Sequence, residues 1–116
     1  MSVSKFDQIN SRISNHVRHT LEYCSGVTRE SFLENRMLQE ACVFNVLQIG
    51  ELAARAIEYG IDREHPDIPW RQMRGMRNRI VHDYEGVRLD VVWETIENDF
   101  PQLLMLLESA AGGAVH

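Results

Sequence analysis

Apolar side chains recur every three or four residues along most of this chain, which is the spacing of one face of an α-helix. The first run predicts a helix from about Ser4, a suitable N-cap, to about Ser25, with Gly26 as its stop. Its apolar stripe contains Phe6, Ile9, Ile13, Val17, Leu21 and Cys24. A short turn is expected over 27–35. Because no segment alternates apolar and polar residues as a half-buried strand does, the chain is predicted to be all-α.

Three further helices follow from the same spacing. The second long helix is expected to end at Gly60, before a loop that contains two prolines. Pro69 is placed as the first residue of the third helix, which is expected to end at 84–86. A fourth helix begins at about Asp90, and Pro101 should kink or divide it because proline cannot donate the main-chain hydrogen bond. Four to five amphipathic helices with short connections predict an antiparallel bundle.

The size of the chain limits it to one core. A chain of 116 residues is about one domain, and we assign 1–109 to the bundle and 110–116 to a flexible C-terminal tail. No apolar run is long enough to span a membrane, and the N-terminus lacks the pattern of a signal peptide. A cytoplasmic protein without a membrane partner is therefore expected.

Two cysteines, Cys24 and Cys42, lie in segments predicted to be helical. Their surroundings lack metal-ligand spacing, and cytosolic disulfides are rare. Buried free thiols are the preferred interpretation, with a disulfide as the alternative. His16 and His19 share a helical face but have no third ligand nearby, so we expect no bound metal and no cofactor.

Positive charge is concentrated in one window. Residues 68–82 contain four arginines and no acidic residue, so the window carries +4 and the rest of the chain −9, which gives the net charge of −5. Such a chain is not a general nucleic-acid coat, because backbone binding usually depends on a surplus of Lys and Arg. A local anion site on an acidic body is the interpretation that fits, although an arginine cluster is often only a solvated helix face.

Within this window, Arg77 and His82 are the pair that suits RNA cleavage without a metal. Histidine moves protons near neutral pH, and arginine offers a fixed planar charge to phosphate oxygens. In an ideal helix the two side chains lie about 140° apart, so two copies facing each other across a symmetry axis would be needed to form one cleft. A backbone distorted after Val81 is the alternative. Spacing alone equally fits a surface arginine and a histidine at a helix C-terminus.

The ordered residues Arg77, Asn78, Arg79, Ile80, Val81, His82, Asp83 and Tyr84 resemble the R-x-x-x-x-H-x-Y motif of HepT-like proteins in the HEPN superfamily. The similarity extends from about Ser4 to Leu107. It includes Ile49-Gly50-Glu51 in the long helix, Ile68-Pro69-Trp70 before the motif and Val92-Trp93 after it. The set is more specific than an isolated R-x-x-x-x-H string.

The resemblance implies a HEPN-like bundle that is active as a homodimer or a larger oligomer and cleaves RNA without a metal, as the toxin of a toxin–antitoxin pair. Its partner would be a minimal nucleotidyltransferase antitoxin of the MntA type, which transfers AMP onto the motif tyrosine, here Tyr84. Transfer RNA is the substrate class linked to such toxins. The alternative is a non-catalytic dimer that binds nucleotide or RNA and serves as scaffold or substrate of a nucleotidyltransferase.

Supporting roles are expected for four other residues. Arg74 and Arg79 are predicted to contact RNA phosphates, and Asn78 to orient groups in the site. Glu51 is expected to pair with an arginine of the motif helix, either to stabilise the fold or to position the catalytic groups. Close helix packing explains the neighbouring Gly50. Trp70, Trp93 and the methionines at 73 and 76 are interpreted as core residues rather than as surfaces on which bases stack.

Overall fold

The computed structural model describes residues 3–82 and 86–112, and of His82 the backbone alone. The described residues form seven helices and one short hairpin, and the all-α prediction is confirmed. The elements are α1 (Lys5–Tyr23), α2 (Arg29–Leu33), α3 (Arg36–Glu58), α4 (Ile61–Glu64), α5 (Trp70–Ile80), β1 (Val81–His82), β2 (Gly86–Val87), α6 (Leu89–Asn98) and α7 (Phe100–Gly112).

Side-chain caps fix where the first three helices begin. The Ser4 hydroxyl accepts the amide N–H of Asp7 at 3.0 Å, as predicted. Thr28 and Ser31 form a reciprocal capping box at the start of α2, the element that occupies the predicted short turn. Asn35 accepts the amide N–H of Leu38 at the start of α3. Each cap satisfies a donor that lacks a partner within its helix, which is typically worth about 1 kcal/mol.

Helices α1 and α3 run antiparallel, as contacts along their length show. The Lys5 ammonium group lies 4.0 Å from the ring centroid of Tyr59, at the start of α1 and the end of α3. Further along, His16 Nδ1 lies 2.8 Å from Asn45 Oδ1, and Cys24 at the end of α1 contacts Cys42 near the start of α3. Residue numbers thus rise along one helix as they fall along the other.

Helix α3 lies at the centre of the bundle and packs against both α1 and α5. Every helix contributes to a single apolar core, whose fully buried members include Ile13, Phe32, Ile49, Met73, Ile80, Val92, Phe100 and Leu107. Trp70 and Trp93 belong to this core, in agreement with the prediction. The buried Asn10 ties α7 to α1 by donating a hydrogen bond to the carbonyl oxygen of Leu107. None of the described helices has the length and apolarity to cross a membrane.

Helix α5 ends earlier than predicted. It stops at Ile80, not at 84–86, and the chain continues as an extended strand from Val81 (φ −105°, ψ 118°). Strand β1 pairs antiparallel with β2, with Val81 opposite Val87. The carbonyl oxygen of Ile80, which a longer helix would bond to the amide of residue 84, instead accepts the amide N–H of Arg88. Pairing with a distant segment thus replaces the next helical turn, and this hairpin of two-residue strands is the addition to the predicted helical bundle.

Other boundaries also differ from the predictions. Pro69 is the N-cap of α5 rather than its first helical residue, because its ψ of 67° is not helical. The predicted proline loop contains the one-turn helix α4. The fourth predicted helix is divided into α6 and α7 at Asp99, two residues before Pro101. Helix α7 continues to Gly112, beyond the boundary placed at 109, and Ala110 packs against the core; residues 113–116 lie outside the description.

Candidate active site

The arginines of α5 are divided between two sides of the helix. Trp70, Met73, Met76 and Ile80 face the core, and the arginines lie on the exposed surface. At about 100° per residue, Arg74 lies about 60° from Arg77, whereas Arg79 lies about 160° from it. Arg74 and Arg77 therefore share one side of α5, which we call the Arg77 side, and Arg79 faces the other way. No ion pair of Arg74, Arg77 or Arg79 occurs within the described ranges.

The backbone of His82 is held in the hairpin that follows the helix. The Arg77 carbonyl accepts the amide N–H of Val81, the first residue of β1. His82 then pairs with Gly86, whose positive φ of 84° favours glycine. The helical geometry used to separate Arg77 from His82 by 140° does not apply, because the helix ends between them. The alternative of a backbone that leaves the helix is the one observed, and it does so at Val81 itself.

Tyr84 and the side chain of His82 lie outside the described part of the structure. Tyr84 belongs to residues 83–85, which lie between β1 and β2 and outside the described residues. Of the motif, the structure therefore describes residues 77–81, which include Arg77 and Asn78, and the backbone of His82. The meeting of the arginine with the imidazole, and any role of the tyrosine, stay predictions.

Asn78 and Glu51, two of the four residues with predicted supporting roles, are both exposed. Asn78 lies on the outer surface of α5, about 100° around the helix from Arg77. Glu51 lies on α3 and forms no ion pair with an arginine within 4.0 Å among the residues described. Their supporting roles also remain predictions. Free exposed side chains can still rotate onto a bound ligand, as catalytic contacts often close only in the complex.

Close approach of two helices holds the motif helix in place. Gly50 is buried in α3, and a Cβ there would lie 3.4 Å from the carbonyl oxygen of Met73 and 3.7 Å from that of Arg74. The backbones of α3 and α5 thus meet one turn before Arg77, as the prediction of close packing at Gly50 required. At the start of α5, the Trp70 indole N–H donates to the carbonyl oxygen of His65 at 2.9 Å.

Arg79 lines a groove between α5 and α7. It has a volume of about 320 Å³, a floor of methionine and leucine side chains, and a polar rim formed by Gln72, Arg79, Asp99 and Gln102. If Arg79 contacts RNA, it contacts a different part of the molecule from the phosphate beside Arg77.

An apolar surface beside the hairpin was not foreseen from the sequence. Val43, Phe44 and Leu47 of α3 lie next to Val87 and Leu89, and these five residues are called the α3–β2 patch. Phe44 is 58% exposed, and Met37, seven residues earlier on the same side of α3, is 84% exposed. Large apolar side chains that are exposed together on one side of a helix mark an interaction surface more often than isolated exposed ones do. In the sequence, the helical spacing of these residues was the available signal, but the same spacing is equally typical of residues that face the core.

Comparison with known proteins identifies the family of the chain. The family model described as ribonuclease HepT-like matches residues 13–110. The chain is 38% identical over 82 residues to the "Probable ribonuclease HepT" of Thermococcus cleftensis. The aligned region covers 71% of this chain and 74% of that protein. The chain is 30% identical over 95 residues to a protein of Caldanaerobacter subterraneus subsp. tengcongensis that carries a provisional RNase name, with coverage of 76% and 84%. No solved structure is significantly similar to this chain. The chain belongs to the HepT-like ribonuclease family.

Proposed function

We propose that this protein is a metal-independent endoribonuclease toxin whose site lies where α5 meets the β1–β2 hairpin. One observation carries the proposal. The helix ends between the two motif residues, and the hairpin fixes the backbone of His82 two residues after the end of the helix that presents Arg77. A rigid helix and a paired strand thus hold the backbones of both groups, which is what precise positioning of catalytic side chains needs.

The chemistry assigned to the two residues is transfer of a phosphodiester from the 5′-oxygen to the neighbouring ribose 2′-hydroxyl. His82 would move the proton, as general base at the 2′-hydroxyl or general acid at the leaving 5′-oxygen. Arg77 would stabilise the charge that develops on the phosphorane, and Arg74 on the same side of α5 would hold a neighbouring phosphate. The products are a 2′,3′-cyclic phosphate and a 5′-hydroxyl, with transfer RNA as the proposed substrate class.

The α3–β2 patch supports a homodimer as the active unit. The patch includes Val87, which pairs with Val81 of the motif strand, so a second copy docked on it would lie next to the hairpin. Two motifs related by a twofold axis would then face one cleft, as closed dimers require of a shared surface. Burying Phe44 removes from water the most exposed large apolar side chain of the patch.

Tyr84 is the proposed control point. A nucleotidyltransferase antitoxin would join the tyrosine oxygen to the α-phosphorus of ATP and release pyrophosphate. The attached AMP would add negative charge and bulk to the motif that contains Arg77 and His82. The local charge supports this proposal, because the +4 window would attract the same phosphate group that it would otherwise bind in RNA.

The decisive experiment is RNA cleavage in EDTA by wild type, His82→Ala and His82→Asn. We expect wild type to leave 2′,3′-cyclic phosphate ends and both variants to lose at least about 100-fold of the rate, since general acid–base groups contribute that much. Circular dichroism must show unchanged helix content. Unaltered cleavage by the variants would remove histidine from the mechanism. RNA binding without cleavage by wild type would favour the non-catalytic alternative.

A further inference from the structure

Two free thiols meet where the end of α1 packs against α3. Cys24 Sγ and Cys42 Sγ lie 3.6 Å apart, in van der Waals contact and within the range of a weak S–H hydrogen bond. Cys24 is the C-cap of α1, and Cys42 lies in the second turn of α3. A disulfide has an S–S length of about 2.05 Å. Bond formation therefore requires the sulfur atoms to approach by about 1.5 Å.

The two thiols differ in access to solvent. Cys42 is fully buried in the core, whereas Cys24 is partly exposed. Cys24 also lines a surface cavity of about 460 Å³, together with Leu21, Val27, Trp93 and Pro101. A small reagent can reach Cys24 from this cavity without opening the core. Cys42 has no exposed surface of its own.

The pKa values of the two thiols are also shifted in opposite directions. The hydrogen bond with Cys42 lowers the pKa of Cys24, and this effect exceeds the opposing effect of burial. The same hydrogen bond and burial raise the pKa of Cys42. Because the thiolate is the nucleophile in disulfide exchange, Cys24 is suited to attack first.

We propose that Cys24 and Cys42 form a reversible redox pair, which a small-molecule disulfide oxidises to an intramolecular disulfide. The Cys24 thiolate attacks one sulfur of the small disulfide, forms a mixed disulfide and releases one small thiol. Cys42 then loses its proton and attacks the Cys24 sulfur, which releases the second small thiol. The protein loses two electrons and two protons, and the small disulfide gains them. The proposal is independent of the proposed ribonuclease function.

The predicted consequence is a covalent clamp between α1 and α3. The bond would join residues 18 apart in the sequence and close a loop that contains α2. By the chain-entropy estimate for a loop of this length, oxidation should raise the melting temperature by roughly 10 °C, if the bond forms without strain.

The test is oxidation of the folded wild-type chain with glutathione disulfide, followed by intact-mass spectrometry and peptide mapping. We expect the loss of two hydrogen atoms, a cross-linked peptide pair containing Cys24 and Cys42, and recovery of both thiols with dithiothreitol. Cys42→Ala should stop at one glutathione adduct on Cys24. Cys24→Ala should remain unmodified. Circular dichroism during oxidation checks that the bond forms in the folded state.

Three results would overturn the proposal: a disulfide-linked dimer in place of the intramolecular bond, a stable glutathione adduct on the wild-type chain, or two thiols that resist oxidation while the protein is folded. The wild-type mapping answers the question even if a variant fails to fold.

Discussion

Gly50 of α3 lies directly against the backbone of α5, since a Cβ at this position would be 3.4 Å from the carbonyl oxygen of Met73. That distance is an ordinary contact for one methyl group but leaves no room for a longer side chain. We expect Gly50→Ala to keep near-wild-type stability, because the gain in helix propensity of up to ~1 kcal/mol offsets the tighter contact. Gly50→Leu should lower the free energy of unfolding by ~1–3 kcal/mol. Denaturant unfolding measures both.

Gly75, in α5 itself, provides the matched control. A Cβ there meets nothing within 4 Å. Gly75→Ala should therefore stabilise the protein by up to ~1 kcal/mol, as expected for alanine in an open helix position. Equal effects of Gly50→Leu and Gly75→Leu would show that the contact with Met73 does not constrain the position of α5.

The two sides of α5 should respond differently to loss of charge. Arg77→Ala is expected to lower the cleavage rate constant about 100-fold, since it removes the cation assigned to the transition state. Arg74→Ala should weaken RNA binding and reduce the slope of log affinity against log salt by about 0.7 to 0.9. Arg79→Ala, on the side that faces α7, should change the rate constant far less than Arg77→Ala. Single-turnover kinetics across a salt series separates these effects, and equal losses for Arg77 and Arg79 would contradict the division.

The α3–β2 patch should control assembly. Phe44→Glu places a charge on the proposed dimer surface, where burying it without a partner is costly, so we expect a shift from dimer to monomer and a parallel loss of cleavage. Met105→Glu is the control, because Met105 is 70% exposed on α7 and does not line the patch. Sedimentation equilibrium of the three proteins measures the shift. A dimer that survives Phe44→Glu would place the dimer surface elsewhere.

The thiol pair predicts a specific pH dependence of alkylation. The hydrogen bond with Cys42 lowers the pKa of Cys24, so the reactive thiolate should form at a lower pH than in free cysteine. The rate of modification by iodoacetamide should accordingly reach its midpoint at lower pH than for a cysteine standard. Cys42→Ala removes the donor and should move the midpoint upward. A midpoint unaffected by Cys42→Ala would assign the shift to another cause.

Local patterns were sufficient for most of the bundle. The spacing of Phe6, Ile9 and Ile13 predicts α1, and the Ser4 cap is found where expected, because both depend on residues within one or two turns of each other. The arginine window and the order of the motif residues are likewise properties of the chain itself. They predict the family and the candidate residues before any tertiary contact is known.

The end of the motif helix could not be predicted in this way. Helix α5 ends at Ile80 because the carbonyl oxygen of Ile80 accepts the amide N–H of Arg88, and because Val81 pairs with Val87. These contacts with a segment further along the chain compete with the next helical turn. The turn residue Gly86 was visible, but a glycine equally marks the end of a helix.

For this protein, then, the sequence alone determined an all-α bundle, its core faces and the ordered motif from Arg77 to Tyr84. Tertiary structure alone decided that the helix stops before His82, that Arg79 lines a groove beside α7, and that Cys24 meets Cys42. The physical reason is the distance along the chain over which each interaction acts. Helical periodicity and capping act between neighbouring residues, whereas strand pairing, the groove between α5 and α7 and the thiol contact depend on how distant segments pack.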